Sequence, residues 1–282
     1  MEHIAELIRA RKSVRTFDGT PLREEPRTKL AQYLSHIDTP FDIPMEFRML
    51  DAKAHGLSSP VVTGTELYAA GKVKRGPLAE AAFGFAFEKF VLYALSLGVG
   101  TVWIAGTMDR PAFERAMELG GDEFMPAVTP LGYPAKKRAI RDAAMRRAIK
   151  ADTRAPFESL FFEDTFDRPL TAERAGKYRE ALELVRLAPS AVNKQPWRIV
   201  KQGDTFHFYK KSSLPANPKG DVQKLDVGIA LAHFVLAMEE AGVAGAVAAA
   251  EPKIAGEKDL EYIISWERKQ KTATLQNEKT PV

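Results

Sequence analysis

Two stretches carry the residues best suited to chemistry. Arg11-Lys12-Ser13-Val14-Arg15 places three cations and one hydroxyl within five residues. That set matches a doubly charged phosphate ester, although the same cations would also complement the C-terminus of a preceding helix. Ala188-Pro189-Ser190-Ala191-Val192-Asn193-Lys194-Gln195-Pro196-Trp197 is the second stretch. Its two prolines fix φ and restrict the residues before them, which makes a rigid loop. Ser190, Asn193 and Gln195 present neutral groups that both donate and accept hydrogen bonds. Such a loop suits a flat ring with alternating donors and acceptors, and it also suits an ordinary helix-to-strand turn.

Other chemistries are less favoured. The chain has no cysteine, which removes disulfides, thiolate metal sites, iron–sulfur clusters and a thiol nucleophile. His3, His36, His55, His207 and His233 are scattered, and none has a second ligand at metal-site spacing, so no metal site is expected. A net charge of +4 over 282 residues could draw in phosphorylated small molecules but is no nucleic-acid footprint. The apolar and charged fractions, 45% and 28%, are those of a soluble globular protein. No apolar run approaches the roughly 20 residues that span a bilayer. Acids stand where a secretion signal would carry bases, in Met1-Glu2-His3-Ile4-Ala5-Glu6, so a cytoplasmic location is expected.

The elements that would position the two stretches follow from periodicity. Helices are expected over 1–10, 25–37, 78–97, 111–119, 136–148, 171–187 and 224–241. Strands are expected over 45–50, 66–74, 101–105, 127–131, 197–201, 205–210, 243–250 and 262–266. Thr171 is a suitable N-cap for its helix. The helices at 78–97 and 224–241 have few charges and belong at the centre of the fold. The basic run between Lys136 and Arg154 reads mostly as a solvated helix face, and residues 150–170 as a connector. Gly98-Val99-Gly100 lacks the third glycine of a dinucleotide fingerprint and reads as a helix end and turn.

The central helices repeat. Gly84, Ala86, Phe90, Val91, Leu92, Gly98 and Val99 recur as Gly228, Ala230, Phe234, Val235, Leu236, Gly242 and Val243, at a constant offset of 144 residues. Upstream, Thr16-Phe17-Asp18 recurs as Thr165-Phe166-Asp167, at an offset of 149 residues. The polar features do not repeat. Leu160–Asp164 replaces the first half's cations, and Pro40–Pro44 lacks the second half's amides. Each half thus holds one half-site, and the two make a whole only if the halves pack face to face, as a homodimer's subunits would. The expected division is 1–150, 151–268 and a polar tail over 269–282.

These residues, with Trp103-Ile104-Ala105-Gly106, Gly132-Tyr133-Pro134 and Arg154-Ala155-Pro156, resemble the FMN-dependent nitroreductase family, in its fused-repeat, TM nitroreductase-like branch. The resemblance implies an α+β fold of two duplicated halves, each a mainly antiparallel sheet flanked by helices, forming a pseudo-dimer. It implies that Arg11, Lys12 and Ser13 hold the FMN phosphate and ribityl chain, and that Arg15 reaches the N1/O2 edge of the ring. Pro189, Ser190, Ala191, Asn193 and Gln195 would line the ring. Ile104, Ala105 and Gly106 would face its N5 edge, and Arg154, with Lys150, would return to the phosphate.

The implied activity is that of an oxidoreductase passing hydride from NAD(P)H through FMN to a small-molecule acceptor such as a nitroaromatic or quinone. No catalytic acid–base pair is needed, because the flavin carries the chemistry. Three alternatives stay open: a non-catalytic flavin-binding protein, a different flavin reaction such as reductive dehalogenation, and a relic without cofactor. Neither a nucleic acid nor a membrane is an expected partner. The duplication makes a monomer feasible, with a homo-oligomer as the alternative.

Overall fold

The computed structural model describes residues 1–137, 139–250, 252–254 and 259–269. Arg138 of the basic run and the expected polar tail beyond Lys269 lie outside the described residues. The first half opens with α1 (Ile4–Ala10) and α2 (Glu24–Ser35), followed by β1 (Met45–Asp51), the single turn α3 (Ala52–His55) and β2 (Leu67–Lys74). The long helix α4 (Ala79–Ser96) leads to α5 (Arg110–Ala116), β3 (Glu123–Phe124), β4 (Val128–Leu131) and α6 (Ile140–Ala148). Strand β2 pairs antiparallel with β1 on one side and with both β3 and β4 on the other.

The second half contains β5 (Phe161–Glu163), β6 (Thr165–Pro169), α7 (Arg179–Arg186), β7 (Trp197–Gln202), β8 (Thr205–Lys211), α8 (Val222–Glu240), β9 (Gly245–Ala248) and β10 (Leu260–Arg268). Its six strands run in the order β6-β5-β7-β8-β10-β9. All neighbours are antiparallel except β5 and β7. The architecture is therefore α+β with two duplicated halves. Among the described residues, no helix is long and apolar enough to cross a membrane.

Helices α4 and α8 lie between the two sheets and are buried along almost their whole length. Their crossing depends on two glycines. A Cβ on Gly84 would stand 2.2 Å from the Leu225 carbonyl oxygen, and one on Gly228 would stand 2.0 Å from that of Ala81. Leu225 and Ala81 are themselves 144 residues apart, so the two contacts are reciprocal about a pseudo-twofold axis. Bare backbone at both positions lets the helices touch where any side chain would hold them apart.

Three local readings needed correction. Thr101–Ala105 forms isolated bridges, Thr101 to Ser13 and Ile104 to Val128, rather than a strand. The Val102 N–H donates to the Thr129 hydroxyl (3.0 Å) instead of a backbone carbonyl, which interrupts the ladder. The helix expected over 171–187 is continuous only from Arg179, because Gly176 adopts a left-handed φ of 54°. Thr171 caps the preceding turn, accepting from Arg174 N–H at 3.3 Å. The connector expected over 150–170 contains β5 and β6, whose hairpin turns at Asp164 with φ 63°.

Because a carbonyl rather than a flexible side chain opposes Gly228, Gly228→Ala should lower unfolding free energy by about 2–3 kcal/mol. Denaturant unfolding of the full chain measures this.

Candidate functional site

Helix α1 brings the cationic segment to the second half. Ile4 and Ile8 are buried, and the Glu240 carboxylate at the end of α8 accepts from Ile4 N–H (2.6 Å) and Ala5 N–H (3.0 Å). The chain leaves the helix at Arg11. Val14 N–H then donates to Thr101 O at 2.8 Å. Residues 11–13 are thereby fixed opposite the Pro189–Asn193 loop. A cleft of about 440 Å³ separates them, lined by Arg9, Arg11, Lys12, Ser13, Arg146, Arg154, Pro189, Ser190 and Asn193 among others. The two half-sites do meet.

The cleft is rich in positive charge and short of acids. Five cationic side chains line it, against a single carboxylate, Asp152, which pairs with Arg146. Arg9 is paired with Glu180. Arg11 Nε and Arg154 Nε are both buried without a hydrogen-bond partner. Burial lowers the Arg11 pKa; Glu88 opposes that shift, and the Arg146 charge adds to it. Burial, then the Arg11 charge, lowers Arg154, with Asp152 opposing. A guanidinium gives up water only at a cost unless an anion meets it. Two orphaned N–H groups from opposite sides of the cleft, each repelled by the neighbouring Arg146, therefore stand where an anion would satisfy them.

The loop's conformation is held by its own amides. Val192, Asn193 and Gln195 adopt left-handed φ values of 43°, 57° and 48°, which for such residues costs on the order of 1 kcal/mol each. Ser190 Oγ accepts from Gln195 N–H (2.9 Å). Gln195 is buried, and its Oε1 accepts from Ala155 N–H (2.9 Å). Asn193 Nδ2 donates to Lys150 O (2.7 Å) and Thr153 O (3.1 Å). These bonds hold the segment that carries Arg154, whose Nη1 donates to Ala151 O (3.0 Å) and Thr153 O (2.8 Å).

A family model described as "Putative TM nitroreductase" matches residues 3–238. The chain belongs to this nitroreductase family. A solved Thermotoga maritima protein described as "a putative nitroreductase" shares its fold at 21% identity and TM-score 0.59, with 94% of this chain and 92% of that one covered. A nitroreductase family protein from Clostridium novyi is 20% identical over 48% of this chain and 87% of its own, at TM-score 0.41. A Bacteroides fragilis nitroreductase with bound FMN is 16% identical over 50% and 92%, at TM-score 0.39. Among curated proteins, none matches the sequence significantly.

Not every residue expected at a nitroreductase site stands in this cleft. Arg15 turns the other way. Its Nη1 donates to Asp142 Oδ1 of α6 at 2.9 Å, and it borders an adjoining cavity of about 550 Å³ that shares Arg11, Lys12 and Ser13 with the cleft and is also lined by Leu95, Gly100 and Pro134. Ala105 and Gly106 line a third cavity of about 450 Å³, beside Gly220 and Asp221 at the start of α8. Ile104 is buried and bridges to Val128. Asn193 and Gln195 hold backbone, so the expectation that both amides face a ring is corrected for Gln195, which is enclosed by Ala155 and Asn193. Sequence reasoning missed Arg146, because a cation in a basic helix looks solvated. Its i−4 neighbour Asp142 is the signal, since that residue pins the helix to Arg15 and turns Arg146 inward.

Gln195→Met leaves Ala155 N–H without its acceptor. It should cost about 1–3 kcal/mol of stability and loosen Arg154, readable as lower unfolding free energy with weaker binding of inorganic phosphate.

Proposed function

We propose that the cleft grips the phosphate of FMN and that the chain is an FMN-dependent oxidoreductase. It would take hydride from NAD(P)H and pass it to nitroaromatic or quinone-like acceptors. The observation that supports this most is the pair of buried, unpartnered guanidinium N–H groups, Arg11 Nε and Arg154 Nε, one from each side of the cleft. A phosphate monoester supplies two negative charges and several acceptors to such groups; the neighbouring Ser13 and Ser190 hydroxyls suit its oxygens, and Asn193 Oδ1 suits a hydroxylated chain. The residues present therefore fit the phosphate end of the cofactor.

Bound FMN would supply the two-electron chemistry. The chain's own part is to fix the anion, to hold the Pro189–Asn193 loop as a rigid wall, and to exclude water from the guanidinium groups. The pseudo-twofold brings both halves to one site, so we also propose that the halves divide near residues 150/151 and that a monomer is sufficient. Arg15 belongs to the same reading only if it exchanges Asp142 for the ring edge.

A second reading, a flavin-binding protein without turnover, is motivated by the lack of any recognisable nicotinamide or acceptor contact among the described residues that line the cleft. Anaerobic mixing separates the two. Bleaching of the FMN band by NADH or NADPH faster than that of free FMN supports the oxidoreductase, and bleaching no faster supports the carrier. Arg11→Met and Arg154→Met should each weaken FMN binding by about tenfold or more; Arg154→Met should also lower the stability of the apo protein, because Arg154 Nη1 donates to Ala151 O and Thr153 O.

A further inference from the structure

Asp226 of α8 is a buried carboxyl without a cation. It is 2% exposed, and both of its oxygens accept from one backbone group, Ala191 N–H, each at 3.1 Å. Among the described residues no ion pair or second donor reaches it. Its nearest charged neighbour of consequence is another acid, Asp221. Burying a carboxyl with so little compensation is unfavourable, and an apolar residue would serve the packing of α8 better.

What the carboxyl touches explains its placement. Ala191 stands between Ser190, which lines the cleft, and Val192, Asn193 and Gln195, which carry the three left-handed backbone angles. Val192 is the least suited of these, being β-branched and 53% exposed, so its own packing does not hold it there. The loop's internal bonds, Asn193 N–H to Ser190 O and Lys194 N–H to Ala191 O, close the turn upon itself but do not attach it to the body of the fold at this point. Asp226 does attach it, and from α8, the helix that meets α4 at the pseudo-twofold.

The geometry points to Asp226 as the positioning residue of the cofactor loop: it anchors Ala191 N–H and so keeps Ser190 and Asn193 facing the cationic segment across the cleft. Its effect on FMN rests on the flavin reading above, whereas its effect on the loop does not. The assignment predicts opposite signs for stability and for loop order, which an ordinary core residue would not give.

The test uses the full chain as wild type, Asp226→Ala and Asp226→Asn, each measured three ways: amide hydrogen exchange without cofactor, melting temperature, and FMN titration. In Asp226→Ala the amides of Asn193, Lys194 and Gln195 should exchange about tenfold faster or more. The melting temperature should stay level or rise, and FMN should bind about tenfold more weakly. Asp226→Asn keeps an acceptor for Ala191 and should restore loop protection and affinity to within about threefold of wild type. Unchanged loop protection in Asp226→Ala overturns the assignment. So does a loss of protection that extends through α4 and α8 with a matching fall in melting temperature. If the wild type binds no FMN, the flavin reading fails by itself, and the exchange result still decides the role of Asp226.

Discussion

Gly84 and Gly228 let α4 and α8 meet backbone to backbone, and the rest of the molecule is arranged by that contact. Each glycine faces the carbonyl three residues before the other, so the crossing is fixed in both angle and register. Once it is fixed, the end of α8 presents Glu240 to the start of α1, and the chain beyond α1 can only run alongside the second half. The cationic segment reaches the cleft because a helix crossing some distance away leaves no other path. A side chain at either glycine would separate the halves and, with them, the two parts of the site.

The interior of this contact is also polar at one point. Glu88 and His233 are fully buried and joined at 3.0 Å across the two helices. Trp103 Nε1 donates to Glu88 at 2.8 Å. His233 Nδ1 faces the Leu184 carbonyl at 2.9 Å, so that nitrogen must carry a proton. Glu88 in turn offsets part of the burial of Arg11. Leu184 lies in α7, the helix that leads into the Pro189–Asn193 loop. The two half-sites are thus tied through the core as well as across the cleft, which suits a site whose own cations repel one another.

Much of this was legible in the residues. The 144-residue offset revealed the duplication, because the helix crossing demands glycine at both equivalent places. The division of cations and amides between the halves pointed to a cleft with one contribution from each half, and residues 11–13 and 189–193 do line one cleft. What stayed hidden depended on single side chains acting at a distance in sequence. The Thr129 hydroxyl that breaks the strand at Val102 leaves no periodic trace. Asp142 looks like one more surface acid until it is seen on Arg15. The amide of Gln195 has the chemistry of a ligand contact, and only the position of Ala155 shows that it holds the chain itself. The Gly176 break in the helix before the loop needed a φ value that composition does not supply.

The claim on which the account stands is that two halves of one chain close a grip on a phosphate. Parallel titrations with FMN and with riboflavin, which share the ring but not the phosphate, test it most directly. The account predicts that FMN binds about a hundredfold or more tightly than riboflavin, the worth of charge-assisted bonds to two otherwise unsatisfied guanidinium groups. Equal affinity for the two flavins would contradict it.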